Sequence, residues 1–178
     1  MKQVWDRLAA LPAVAHPRQA KSAVLVPLYE DPSGDIRVVF TKRPESMRTH
    51  PGDVVFPGGR MEPGEDPVRT ALREAHEEIG LEASAVLEIM GGLVPVTTRD
   101  TQALIVPVVV RIERPAELYP DPAEVEVIIE PRLDDLLDDS LWRRSDWYGR
   151  PLWFYEFVEG TLWGATAAMV RQLLATVR

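Results

Sequence analysis

The chain contains no cysteine, which excludes disulfides, thiolate metal sites and cysteine nucleophiles and leaves the redox compartment open. No apolar run approaches the roughly 18 residues of a membrane span, and the N-terminus lacks a charged segment followed by an apolar one, so neither a membrane helix nor a secretory leader is expected. Net positive charge is also missing: 28 acidic residues outnumber 20 Lys and Arg, for a formal charge of −8. A non-specific grip on nucleic acid or on an anionic membrane needs a basic surface and is not expected, although local basic patches stay open. Lysine is confined to Lys2, Lys21 and Lys42. The cationic character is therefore almost all arginine, whose planar fork matches phosphate bidentately. A cytoplasmic protein is the simplest expectation.

What is present suits one soluble domain spanning residues 1–178, at 46% hydrophobic and 27% charged, with residues 1–20 as a helix and linker packed on it. The most informative stretch begins at Gly59 and ends at Leu81. Asp66 is a suitable N-cap, Pro67 sits at the first helical position and Gly80 lies just past the end, so a helix is expected over residues 67–79. At ~100° per residue, Val68, Ala71, Leu72, Ala75 and Ile79 share one side, while Glu74, Glu77 and Glu78 share the other with Arg73 at their border. Like charges at this spacing repel by ~0.2–0.5 kcal/mol per pair. Arg73 offers one counter-charge, and a divalent cation with a preference for hard oxygen ligands would offer more. Taken alone, the pattern also describes a solvated acidic helix face.

Upstream, residues 23–29 are apolar and β-prone, residues 31–35 form a turn cluster and residues 36–41 resume the branched pattern, so a hairpin is expected. Residues 39–59 read as a loop carrying Lys42, Arg43, Arg48 and His50 into Phe56-Pro57-Gly58-Gly59. The two glycines permit close backbone approach to a phosphate, or simply a tight turn. Downstream, residues 86–96 suggest a strand bent at Gly91-Gly92, and residues 103–112 a buried strand whose Pro107 implies an edge or irregular position. Residues 124–130 alternate like a strand. Asp134, Asp135, Asp138 and Asp139 read as solvated charge on a short helix, residues 152–158 as a strand and residues 164–177 as a terminal helix. Most of the aromatics, Trp142, Trp147 and Tyr148 among them, are expected in the core, with one exposed ring near the site available to stack on adenine.

The spacing Gly59, Glu65, Arg73, Glu74, Ala75, Glu77, Glu78, Gly80, Leu81 resembles the Nudix box, G-x5-E-x7-R-E-U-x-E-E-x-G-U with U a bulky aliphatic residue; only Ala75 is smaller than usual. The resemblance implies an α/β fold, the Nudix α/β/α sandwich with a mixed central sheet. It also implies hydrolysis of a nucleoside diphosphate linked to another moiety, with Mg2+ or Mn2+ held by Glu74, Glu77 and Glu78. Arg73 would orient a box glutamate and Glu65 would support the metal shell. Glu124 or Glu126 would serve as base or additional ligand, since some members take their base from beyond the box, unless they form only a solvated strand edge.

A second resemblance narrows the substrate. Coenzyme A pyrophosphatases of the Nudix group carry L-L-T-x-R-[SA]-x3-R-x3-G-x3-F-P-G-G ahead of the box. Val39-Phe40-Thr41-Lys42-Arg43, Arg48, Gly52 and Phe56-Pro57-Gly58-Gly59 fall on its spacings, with Val39, Phe40 and Pro44 as departures. It implies that Arg43, Arg48, Phe56, Gly58 and Gly59 meet substrate, and that coenzyme A is cut to 4′-phosphopantetheine and adenosine 3′,5′-bisphosphate. ADP-ribose or NADH, a nucleotide-sensing domain without hydrolysis, and an isomerase are the alternatives. The last typically needs a cysteine. A small-molecule nucleotide is the expected partner, and a homodimer is open.

Overall fold

The apolar run after Lys21 forms β1 (Ala20–Glu30), in which seven successive residues are buried, as a strand covered on both faces requires. In the computed structural model, which describes residues 2–47, 50–98, 103–115 and 117–178, this strand is the spine of one of two sheets. The turn after it closes as expected: Asp31 Oδ1 accepts from the Ser33 and Asp35 N–H groups, and β2 (Ile36–Val38) pairs antiparallel with β1. The branched run then breaks at Val39, whose N–H turns to Pro27 O at 3.0 Å. Beyond the break, β3 (Phe40–Lys42) joins the second sheet. The α/β/α arrangement is present, and its strands divide into two six-stranded sheets rather than one.

The segment expected to be all loop contains two short strands, one in each sheet. β4 (Val54–Val55) pairs with β3, and β5 (Gly58–Arg60) returns to β1 in the register Ser22↔Arg60, Ala23↔Gly59, Val24↔Gly58. Glycine's low strand propensity hides β5 from a pattern reading. The close approach is real, since a Cβ on Gly58 would lie 2.5 Å from Ala23 O.

Two helices follow from local chemistry. α1 (Lys2–Leu8) buries Trp5 and Leu8, and the linker after it is strapped down by the Gly92 N–H on Pro12 O at 2.9 Å. α2 (Pro67–Ile79) has the expected limits: Asp66, in extended backbone, accepts from the Arg69 N–H at 2.9 Å, and Gly80 ends the helix at φ 67°. Ala71, Ala75 and Ile79 pack against Ala23 and Leu25 of β1.

β6 (Val86–Gly92), β7 (Val96–Thr97) and β8 (Leu104–Ile112) complete the first sheet, with β8 parallel to β1 and the others antiparallel, so the sheet is mixed. Two register shifts in β6, one of them between Ile89 and Gly91, carry the bend expected at the glycine pair. Pro107 sits in an interior strand rather than at an edge. Its missing N–H is harmless because β6 pairing ends at Gly92↔Val108 and β7 pairing begins at Val96↔Ile105, which leaves Pro107 at the junction between them.

The second sheet adds β9 (Val127–Ile129), β10 (Trp142–Trp147), β11 (Arg150–Glu156) and β12 (Thr161–Trp163), with β12 parallel to β4. β9 is shorter than the alternation of residues 124–130 suggests, because Glu124 and Val125 donate their N–H groups to Asp121 O in a turn. Between β9 and β10 lies α3 (Leu133–Leu137). Of the four aspartates around it, Asp139 is not merely solvated: Arg171 and Arg178 each hold it at 2.7 Å. α4 (Gly164–Val177) closes the chain and shares a core with α1 and the second sheet that includes Leu8, Phe40, Phe56, Tyr155 and Leu173. No helix among the described residues is long and apolar enough to cross a membrane.

Candidate active site

β5 and α2 face each other, and the carboxylates of the helix meet the bare backbone of the strand. Glu78 is buried, at 5% exposure, and its Oε2 accepts the Gly58 N–H at 3.2 Å. Burial pushes its carboxyl up to about 8; the charges of Glu74 and Glu124 raise it further, while the Gly58 N–H and Arg43 oppose the shift. Glu74 is likewise held above its ordinary range, chiefly by burial, against the pull of Arg73. It lies so close to β5 that a Cβ on Gly59 would meet its carboxylate oxygens at 2.5 Å. A side chain at Gly59 would thus displace the Glu74 carboxylate, whereas one at Gly58 would meet the backbone of β1 and would also have to adopt φ 157°.

Arg73 ties the acidic groups together. Its Nε and Nη2 donate to the two oxygens of Glu65 at 2.9 and 3.1 Å, and its Nη1 donates to Glu74 at 2.9 Å and Glu77 at 3.0 Å. Nη2 also donates to Arg60 O at 3.1 Å, fixing the helix to the end of β5. Glu65 receives in addition the Thr70 hydroxyl at 2.8 Å and the Glu62 N–H at 3.0 Å. Hydrogen bonds from Arg73 above all, then from Glu62, bring the Glu65 carboxyl down to about 2. Thr70 escapes a reading based on the box alone: it lies on the acidic side of the helix, between Glu74 and Glu77 in angle, yet is fully buried, which only the folded chain reveals.

Of the residues expected to meet substrate, Arg43 lies at the carboxylates, where its charge reaches Glu78, and its Nε is buried without a hydrogen-bond partner. Its backbone is fixed by the ladder bonds Arg43 N–H to Asp53 O, 3.0 Å, and Gly52 N–H to Arg43 O, 3.1 Å. Pro44 is compatible with this path because it opens a turn, its carbonyl accepting the Met47 N–H at 3.1 Å, at a position where the missing N–H of proline is no loss. Arg48 lies outside the described residues. Phe56 is placed differently from expectation: it is 2% exposed and stacks on Phe40 at 4.6 Å, so its side chain serves the core.

The remaining polar groups of the loop are committed to one another. Lys42 Nζ holds Glu126 at 2.8 Å, His50 lies 3.2 Å from Asp53, and Trp163 Nε1 donates to Asp53 at 2.9 Å. Glu126 is thus drawn to Lys42, while Glu124 is exposed and its charge is felt by both Glu74 and Glu78. Trp142 and Tyr155 are buried, as expected for most of the aromatics, whereas Tyr148 is 94% exposed at the tip of the β10–β11 turn and does not join the core.

Glu74, Glu77 and Glu78 fit a hard divalent cation by their chemistry. They are all-oxygen donors on one helix, and two of them are held above their ordinary pKa by burial that a cation would offset. Their present rotamers serve other partners, Arg73 for Glu74 and Glu77 and the Gly58 N–H for Glu78, and among the described residues no three such groups converge on one point. Binding therefore requires at least Glu77, which is 56% exposed, to turn from Arg73.

Comparison with known proteins is consistent with this geometry. A family model described as NUDIX domain matches residues 19–158. The chain is 36% identical over 163 residues to the chloroplastic Nudix hydrolase 22 of Arabidopsis thaliana, covering 86% of this chain and 54% of that protein. It is also 36% identical over 129 residues to the peroxisomal coenzyme A diphosphatase NUDT7 of Mus musculus, covering 72% of this chain and 53% of that protein. The chain thus spans about half the length of either relative. The crystal structure of the M. smegmatis Nudix hydrolase RenU superposes with a TM-score of 0.54 at 20% identity, covering 70% of this chain and 81% of that one, a likeness of fold.

Proposed function

The chain belongs to the Nudix family, and on that premise we propose that it hydrolyses the diphosphate of a nucleoside diphosphate joined to another moiety, with Mg2+ or Mn2+ held by Glu74, Glu77 and Glu78. The observation that carries this reading is Arg43, a cation with a buried, unpartnered Nε beside the buried Glu78 and the open backbone of Gly58 and Gly59. A buried donor left unmade is costly, and a phosphate oxygen is the acceptor that an arginine at this place best matches. The bound cation supplies electrostatic stabilisation of the diphosphate charge. Arg73 holds Glu65 and the helix in register with β5 and, by donating to Glu74 and Glu77, keeps both beside the place where a cation would be held. Glu124 takes the proton of the attacking water. The oxygen of that water joins one phosphorus while the bridging oxygen leaves with the other.

Coenzyme A or one of its derivatives is the substrate we assign, giving 4′-phosphopantetheine and adenosine 3′,5′-bisphosphate. Support comes from Thr41-Lys42-Arg43, Gly52 and Phe56-Pro57-Gly58-Gly59 at the spacings of the coenzyme A motif, and from the likeness to the mouse coenzyme A diphosphatase. ADP-ribose or NADH is the second reading, favoured if Arg43 and Arg48 both prove irrelevant to turnover. The test is product analysis after incubating the purified protein with Mg2+ or Mn2+ and, in parallel, coenzyme A, dephospho-coenzyme A, ADP-ribose and NADH. Preferential release of adenosine 3′,5′-bisphosphate from coenzyme A supports the assignment. Faster cleavage of the others removes coenzyme A, and cleavage of none removes the hydrolase reading for this set.

A further inference from the structure

A cleft of about 970 Å³ opens at the other end of β5, lined among others by His16, Arg18, Lys21, Arg60, Glu62 and Glu65. Its size is that of a small-molecule site. The turn at residues 17–20, closed by the Ala20 N–H on Pro17 O at 2.9 Å, presents Arg18, and the Met61 N–H on Lys21 O at 3.0 Å sets the exit of β5 beside the start of β1. Arg18, Lys21 and Arg60 are exposed and make no ion pair with any described residue, whereas most arginines elsewhere in this acidic chain are engaged, for example Arg37, Arg114 and Arg171. Of the two carboxylates, Glu65 is bound to Arg73, which it shares with Glu74 and Glu77, and Glu62 is exposed, so three cations face two acids in the lining. The cleft is therefore a basic island on a protein of formal charge −8, and its field favours an anion.

Its position relative to the carboxylates gives the island a meaning. Arg60 directly follows Gly59, whose backbone abuts Glu74, and its carbonyl accepts from Arg73. Glu65 forms part of the cleft wall and is gripped by the same arginine. A ligand whose diphosphate lies against Gly58 and Gly59 thus reaches the cleft by continuing along β5. We propose that this cleft is a second anion subsite, taking a phosphomonoester that the substrate carries apart from its diphosphate, with Arg18, Lys21 and Arg60 as specificity-determining side chains. The inference rests on the hydrolase reading for the location of the diphosphate, leaves Arg43 to that diphosphate, and places the second phosphate at the other end of β5.

Coenzyme A and dephospho-coenzyme A differ only in such a phosphomonoester, so they test the subsite directly. In the Arg18→Ala/Lys21→Ala variant, the ratio of kcat/KM for coenzyme A to that for dephospho-coenzyme A should fall about tenfold, the scale of one charge-assisted contact. A ratio unchanged from the parent protein overturns the proposal, and so does a parent protein without preference between the two. Arg60 is left in place because it borders Gly59. A second measurement needs no turnover: by calorimetry without metal, the parent should bind adenosine 3′,5′-bisphosphate more tightly than AMP, and the variant should lose that difference. Equal affinity of the parent for the two nucleotides overturns the subsite. If no diphosphate is cleaved while the bisphosphate preference and its loss are both seen, the hydrolase reading falls and the subsite stands.

Discussion

Arg43 and Glu65 show how much depends on whether a polar group has found its partners. Arg43 carries a donor that the folded chain leaves unmade, and a site built around such a donor loses transition-state stabilisation when it is removed. Arg43→Ala should lower kcat/KM by about 100-fold or more, and Arg43→Lys should not restore it, since a point charge does not replace a planar fork. Steady-state kinetics on the best substrate decide this. Glu65 is the opposite case, with every oxygen occupied and its carboxyl at about 2 instead of its ordinary 4.5. Its folded-state pKa is depressed, so its contribution is present above the ordinary value and is lost as pH falls through about 2. Glu65→Gln should therefore be less stable than the parent at neutral pH, with the gap closing between pH 4.5 and about 2. Urea denaturation of both proteins across that range measures it. The box spacing makes Glu65, Arg73 and the three helical glutamates legible from residues alone. It does not reveal Thr70 as a support for Glu65, or Phe56 as a core residue, because each depends on what the folded chain places opposite.

At the scale of elements, α2 is the best-written part of the sequence, since its limits are encoded within a few residues. Asp66 caps it, Pro67 begins it and Gly80 stops it in the left-handed region. Asp66→Ala should cost about 1 kcal/mol of stability and Gly80→Ala about 1–2 kcal/mol, each read by thermal or chemical denaturation. For Gly80 the cost is conformational rather than steric, because an added Cβ would come no closer than 3.4 Å to Tyr119. Strands β4 and β5 were hidden for the converse reason. Two residues in β4 and three, two of them glycine, in β5 are too few to carry a periodicity, and their strand character comes from distant partners such as Thr41 and Ser22. The same holds for the division into two sheets, which is decided at Val39 by a bond to Pro27. Of the two positions that Pro107 implies, the irregular one is found, where the ladder changes partner from β6 to β7.

For the whole molecule, the two cores share the work unequally. One holds α2 against the first sheet and so keeps the carboxylates opposite β5; the other joins α1, α4 and both sheets, with Val26 and Val109 of the first and Phe40 and Leu162 of the second. Leu8, fully buried beneath the N-terminal linker, belongs to the second. Leu8→Ala should cost about 2–5 kcal/mol, measured by urea denaturation. The basic cleft was legible only in part: Lys21 stands out as one of three lysines, but its meeting with Arg18 and Arg60 depends on the antiparallel return of β5 to β1.

That return has a further consequence for how ligand choice can change over generations. Along Gly58 the wall of the proposed site is peptide backbone closed to an added side chain by Ala23 O, and along Gly59 it faces the Glu74 carboxylate, which would have to swing aside for one. Such a wall leaves mutation little to vary. Under the proposed function, variation in what is accepted is then written at its two ends, in the loop carrying Arg43 and in the turn carrying Arg18. Of these, the Arg18 turn is the end whose inherited change retunes the range of ligands while leaving the proposed chemistry as it is.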